Sequence, residues 1–259
     1  MGDDAWVAGD RYDPYMGRWS RAVAPLFVAW LDLPAGLRWV DIGCGTGALA
    51  STILGTAAPA SVRGVDPAEG FVGWATAQVT DPRASFEVGD AGGLEQGCAD
   101  AVVSGLVVNF LPDPVPAVAA MARAAAGGTV AAYVWDYAGG MGLLHHFWTA
   151  AVAVDAPAAG RDEALRFPDA AAGPLAELWR SAGLTRVETS ELVAEQTYAD
   201  FDELWTPFLG GTGPAPGYLA GLASEVRDAL RERLRADLPA DPDGSITLSA
   251  RAHAVRGDG

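Results

Sequence analysis

Short apolar runs and amphipathic stripes alternate along most of the chain. Residues 37–42 form a brief, mostly apolar run that predicts a buried strand, with one acid, Asp41, near its end. Residues 48–54 then read as a helix start. The step recurs. A second strand is predicted over 60–65, ending in Asp66, and Pro67 and Ala68 open a helix that carries Phe71 and Trp74. A third strand, 84–88, is followed by Gly89-Asp90-Ala91. The near-continuous apolar run within 99–110 suits a fourth strand buried on both faces. Residues 113–126 read as a helix stopped by Gly127-Gly128, and 129–137 as a fifth strand. Residues 173–182 read as a helix stopped by Gly183, and 185–193 as a sixth strand. Strict alternation over 246–255 predicts a last, half-exposed strand with His253 on its outer face. Strands and helices in this order define an α/β chain.

Other stretches fall outside that alternation. Residues 1–18 are polar with scattered aromatics, among them Tyr12 and Tyr15. These two serve either as an anchor for the segment or as part of a lid. Ser20 is a candidate cap for the helix whose apolar stripe is Ala22, Val23, Leu26, Phe27, Trp30 and Leu31. Residues 138–172 contain an apolar helix over 141–154 with His145, His146, Phe147 and Trp148, and read as an insertion that caps a substrate site. Residues 198–217, with Trp205 and Phe208, are aromatic and turn-rich, a second lid piece; a one-faced leucine helix follows over 219–238. The expected organisation is a lid segment and helix in 1–36, a ligand-binding core in 37–137, a helical cap in 138–172, and the rest of the sheet in 173–259.

The strongest local chemistry is Asp41-Ile42-Gly43-Cys44-Gly45-Thr46-Gly47-Ala48. Strand, glycine turn and helix is the layout of a nucleotide-binding crossover. Gly43 and Gly45 allow a sharp turn and close ligand approach, and the helix start behind them presents unpaired N–H groups. The same glycines also fit a dinucleotide fingerprint. Asp41 weighs against that ligand, because two like charges ~4 Å apart at an effective dielectric of ~20 repel by roughly 4 kcal/mol. Against an α-ammonium the same term is favourable, so the turn suits an aminoacyl nucleoside.

With its acid-x-Gly-x-Gly-x-Gly form, this motif resembles the first motif of the class I S-adenosylmethionine-dependent methyltransferases. The lead-in from Tyr12 to Trp19 is similar to that of bacterial small-molecule members. The resemblance implies a Rossmann-like, doubly wound, seven-stranded sheet whose antiparallel last strand slots between the fifth and sixth. It implies S-adenosyl-L-methionine as cofactor, with Asp41 on its ammonium, Gly43, Cys44 and Gly45 against it, Asp66 on the ribose, and Pro67 and Phe71 nearby. Asp90 and the Ala91 N–H would meet the adenine, Leu106 the methionine portion, Tyr15 the lid side, and Arg18 or Arg21 the carboxylate. For Asp66 a helix-cap role stands beside the ribose role. Tyr12, Asn109, Trp135, Trp148, Trp205 and Phe208 are the candidate acceptor-side residues, with Asn109 equally suited to capping a turn. His145 and His146 are candidate general bases; adjacent on a helix they diverge by about 100°, so at most one faces the pocket. The bland alternative for both is surface or packing histidine.

Composition narrows the rivals. Of 259 residues half are apolar, and 17 basic against 33 acidic side chains give a net charge of −16. That disfavours nucleic acid and anionic membranes as partners. Two cysteines give no disulfide framework, and no His/Cys spacing suggests a metal. With no leader pattern and no apolar run of ~18 residues, a cytoplasmic location is expected. The expected activity is methyl transfer to an O, N or C nucleophile of a small molecule. A non-catalytic binder of the same cofactor and, less well, an NAD-dependent dehydrogenase are the alternatives. Oligomeric state is not legible.

Overall fold

Seven strands form one sheet in the order β3-β2-β1-β4-β5-β7-β6. They are β1 (Arg38–Ile42), β2 (Ser61–Asp66), β3 (Ala84–Val88), β4 (Ala101–Gly105), β5 (Thr129–Trp135), β6 (Thr185–Tyr198) and β7 (Ile246–Asp258). The computed structural model describes residues 13–210 and 213–259, so Tyr12 lies outside the described residues. β1 to β5 pair in parallel, and β7 runs antiparallel to both β5 and β6. The sheet is thus the doubly wound, Rossmann-like form with an antiparallel last strand. The strand order reverses between β1 and β4, which opens a crevice at their carboxyl ends.

Helices cover both faces, and the strand periodicity divides the core accordingly. Trp39, Val103, Ala131 and Tyr133 pack with α1 (Arg18–Leu31) and α2 (Ala48–Thr56). Beyond α2 comes α3 (Glu69–Gln78). Val40, Val102, Val130 and Val255 face the other way, against α4 (Pro114–Ala125) and, further along the chain, 172–181. The insertion after β5 supplies α5 (Gly142–Val154), a 3-10 turn over Ala156–Arg161 and α6 (Glu163–Arg166). Then follow α7 (Ala172–Ser181), α8 (Phe201–Trp205), α9 (Pro214–Ala220) and α10 (Ser224–Asp237). The aromatic rings of the insertion and of 198–217 join the α1/α2 face of the core. Phe147 stacks on Phe208 at 4.7 Å, and Tyr15 meets Phe208 edge-on at 5.2 Å.

The fourth strand lies within the 99–110 run, at Ala101–Gly105. Leu106 adopts a left-handed φ of +63° and donates its N–H to Tyr133 O, after which Val108–Phe110 coils into a 3-10 turn. Several local expectations need correction. Ser20 caps nothing: α1 already begins at Arg18, and the Ser20 hydroxyl donates back to Met16 O inside the helix. The leucine-striped helix is two helices, because α9 stops at Gly221 and α10 restarts at Ser224. His253 is buried rather than outward-facing, beside buried Asp136 at the root of the insertion. Its Nε2 lies 3.8 Å from Asp136 Oδ2.

Asp136, at the end of β5, is the root of the insertion. Its buried Oδ2 accepts from Arg251 Nε at 2.8 Å and Nη2 at 2.6 Å, while Oδ1 accepts from the Ala138 N–H at 3.0 Å. The Arg251 N–H donates to Gly140 O at 2.8 Å, so β7 grips the loop from outside. Among the described residues, no helix is long and apolar enough to cross a membrane.

Candidate functional site

The glycine turn at the end of β1 needs its glycines for different reasons. Gly43, Gly45 and Gly47 all have left-handed φ values, +69°, +52° and +84°. The Gly43 and Cys44 N–H groups both donate to Val65 O, at 2.7 and 3.2 Å, which ties the turn to β2. A Cβ on Gly43 would lie 2.5 Å from Val107 Cγ2, so that side of the turn is filled by protein. A Cβ on Gly45 would meet nothing closer than 4.0 Å, which leaves the main chain there open to a ligand. Gly47 precedes α2 and supplies no side-chain cap to its first turn.

Asp66 braces the turn. Its Oδ2 accepts from the Gly45 N–H at 3.0 Å and its Oδ1 from the Ala68 N–H at 2.9 Å. Burial raises its pKa, and these two bonds pull part of the way back. Burial likewise pushes the Cys44 thiol up, so Cys44 is a packing group; its sulfur sits against Gly64. Pro67 is exposed at the head of α3, and Phe71 is buried in it. Asp90 is exposed and caps the short turn Ala91–Gly93 through its Oδ1, accepting from Gly92 N–H at 2.8 Å and Gly93 N–H at 3.3 Å; Ala91 is buried.

Asp41 is the anomaly. It is 1% exposed, and neither carboxylate oxygen has a hydrogen-bond partner of normal geometry. Burial, with nearby Asp66 adding to it, pushes its pKa up to about 7; a weak contact with the Ala50 N–H offsets only part of this. A buried carboxylate without a partner is costly, and what would satisfy it is a cation. An amino acid's α-ammonium is such a cation, and the open main chain at Gly45 gives the rest of an aminoacyl nucleoside room. The residues present therefore fit S-adenosylmethionine.

The Tyr15 hydroxyl is buried without a partner, and both amide atoms of Asn109 are buried and unpartnered. Leu106 is half-buried at the end of β4. Trp135, Trp148, Trp205 and Phe208 are all buried. Arg18 is engaged by Gln196 Oε1 at 3.0 Å, Glu203 at 3.0 Å and Thr197 O at 3.1 Å, whereas Arg21 is exposed beside Thr46 and Trp74 in a surface groove. His145 is exposed. His146 is half-buried, its pKa lowered by burial and by His145, with Asp237 at the end of α10 opposing. One group in this region has no mark in the sequence. Glu163 is an acid in a polar stretch, yet its carboxylate is 3% exposed and accepts from the Trp148 indole N–H. Burial raises its pKa to about 7.

Residues 40–132, which span β1 to β5 and the whole of this turn, match the family model of a methyltransferase domain. The chain thus carries a class I, S-adenosylmethionine-dependent methyltransferase domain, and S-adenosylmethionine is its cofactor. Solved structures share the whole fold at low identity. A protein of Anabaena variabilis described as a methyltransferase from an antibiotic biosynthesis pathway is 19% identical, with a TM-score of 0.61 over 91% of this chain and 98% of its own. A methyltransferase-like protein of Bacillus halodurans is 13% identical, with a TM-score of 0.57 over 91% of this chain and 97% of its own. Phosphoethanolamine N-methyltransferase 2 of Haemonchus contortus, with S-adenosylhomocysteine bound, is 16% identical with a TM-score of 0.56 over 96% of this chain and 56% of its own. No curated protein matches the chain in sequence.

Proposed function

We propose that this methyltransferase acts on a small-molecule acceptor. The observation that carries the site assignment is Asp41, a buried carboxylate without a partner beneath a glycine turn whose main chain is open at Gly45. The cofactor supplies a methyl group already activated as a sulfonium. What the chain contributes is grip, alignment with an acceptor nucleophile for in-line displacement, and exclusion of water. Asp41 holds the ammonium, Gly43 and Gly45 bring main chain against the ligand, Asp66 takes the ribose hydroxyls, and Asp90 and Ala91 take the adenine. Asp66 can exchange its Ala68 bond for a ribose hydroxyl while Gly45 keeps it in place.

Two observations support a small acceptor. Buried aromatic rings from 138–172 and 198–217 pack against each other, Phe147 on Phe208, and the net charge of −16 disfavours a nucleic acid. In this reading those two segments form the cap. The paired absence of disulfides and the two free cysteines support a cytoplasmic location.

Calorimetric titration with S-adenosylmethionine, S-adenosylhomocysteine and NADH tests the assignment. Binding of both adenosyl ligands but not NADH is expected. Asp66→Ala should weaken both by about tenfold to a hundredfold, the loss of one hydrogen bond to a charged group. NADH binding in place of the adenosyl ligands would return the dehydrogenase reading.

A further inference from the structure

Glu163 opens α6, in the insertion between β5 and β6, and its side chain is buried. Its helix, α6, is pinned from both sides. On one side the Trp148 indole N–H donates to Glu163 Oε2. On the other, Phe167, whose N–H donates to Glu163 O, meets Phe110 at 5.0 Å and Tyr137 at 5.1 Å, ring centre to ring centre. Phe167 and Arg166 also line a cavity of about 500 Å³ with Val108, Asn109 and Val134. The Tyr15 hydroxyl, buried and unpartnered, feels the Glu163 carboxylate more strongly than any other charge, followed by Tyr198 and Tyr137. Among the described residues Glu163 makes no ion pair; Asp162 and Arg166, on its own stretch, are its nearest charged influences. A buried carboxylate bonded by the Trp148 indole N–H and its own backbone N–H but by no cation among the described residues, with the unpartnered Tyr15 hydroxyl in its field, suits a positive, hydrogen-bonding occupant.

We propose that Glu163 is a catalytic carboxylate of this methyltransferase, and that the acceptor is a small apolar amine that arrives as an ammonium ion. The proposal rests on the small-molecule reading above and names its substrate class. The ammonium pairs with Glu163 between Tyr15 and Tyr137. One N–H proton passes to a Glu163 oxygen, which frees the nitrogen lone pair. That lone pair forms the N–C bond to the methyl carbon, and the methyl–sulfur bond breaks with its electrons left on sulfur. The product leaves as the methylated ammonium, and Glu163 returns its proton to water when the site opens. A carboxyl whose burial holds its pKa near neutrality is suited to both halves of this exchange. Ionisation of Tyr15, raised by burial, lies far above the working range, so it orients and does not compete for the proton.

The test uses the full chain saturated with S-adenosylhomocysteine, titrated with benzylamine and with its neutral isostere benzyl alcohol. Wild type is expected to bind the amine at least about tenfold tighter, and Glu163→Gln to lose that preference while keeping its affinity for S-adenosylhomocysteine, which reports an intact fold. With S-adenosylmethionine present, methyl transfer to benzylamine should fall about 100-fold or more in Glu163→Gln and recover partly in Glu163→Asp. In wild type that rate should rise with pH through about 7, and the rise should vanish in Glu163→Gln. Equal binding of amine and alcohol, no amine binding at all, or a Glu163→Gln variant that keeps the preference would overturn the proposal. Failure to bind S-adenosylhomocysteine would instead overturn the cofactor assignment.

Discussion

Asp41→Asn is expected to raise the melting temperature of the ligand-free protein while it cripples cofactor binding. The two effects have one cause. In the folded, empty chain the Asp41 carboxylate is dry and unpartnered, and its pKa rises from 3.8 to about 7. A carboxyl with a raised folded pKa contributes stability fully at a pH below its unfolded value, and that stability is lost as pH rises through the folded value. A rise of that size corresponds to roughly 4 kcal/mol against the ionised, empty fold. Asparagine removes the ionisation but keeps a buried amide, so a net gain of ~1–3 kcal/mol is expected at pH 8, about 2–10 °C in a chain of this size. The gain should shrink towards pH 4. The same substitution removes the ammonium's counter-charge and should weaken S-adenosylmethionine by about a hundredfold, ~2.7 kcal/mol. Differential scanning across pH and calorimetry check the two halves separately. Unchanged affinity would mean that Asp41 does not meet the ammonium.

Gly140→Ala is expected to be among the most destabilising single-methyl changes in the molecule. A Cβ there would lie 2.4 Å from Asp136 Oδ2 and 2.6 Å from Asp136 Cβ. Asp136 has no room to step aside, because Arg251 and the Ala138 N–H hold its carboxylate from two directions. Either the pair breaks, leaving a buried charge, or the loop shifts and frees α5. The expected loss is about 3 kcal/mol, a fall in melting temperature of ~6–12 °C. Gly139→Ala is the control. Gly139 has a φ of +117° but nothing within 4 Å of a Cβ, so it should cost only backbone strain of ~1–2 kcal/mol. If Gly140→Ala melts no lower than Gly139→Ala, the Asp136 clamp is softer than its bonds imply.

What the sequence could disclose was what neighbouring residues decide together. The glycine turn, the acids closing β1 and β2, and the apolar strand runs are all local patterns, and the sheet order followed from the resemblance that the turn established. What it withheld depends mostly on residues far apart. The apolar run continues past Gly105, but Leu106 takes a left-handed φ of +63° and the strand stops there. His253 sits in an alternating pattern that implies an outer face, yet Asp136, 117 residues earlier, lies buried against it. Glu163 gives no sign of burial in its own stretch; Trp148, fifteen residues earlier, and Tyr15, from the first helix turn, make it so.

The placing of β7 has a consequence for the chain as it is made. β6 reaches the sheet only through β7, and β5 finds its second neighbour only there. β5 is complete at Trp135, whereas β7 begins at Ile246, 111 residues later. At ribosomal speeds of ~5–20 residues per second, β5 waits about 6–20 s with an open, apolar edge. During that interval the nascent protein is a five-stranded parallel sheet offering a free strand edge to any neighbour, and the Asp136 clamp has no Arg251 to close it. Nascent-chain quality therefore turns on how soon the seventh strand emerges, and crowded synthesis should penalise this protein more than its folded stability suggests.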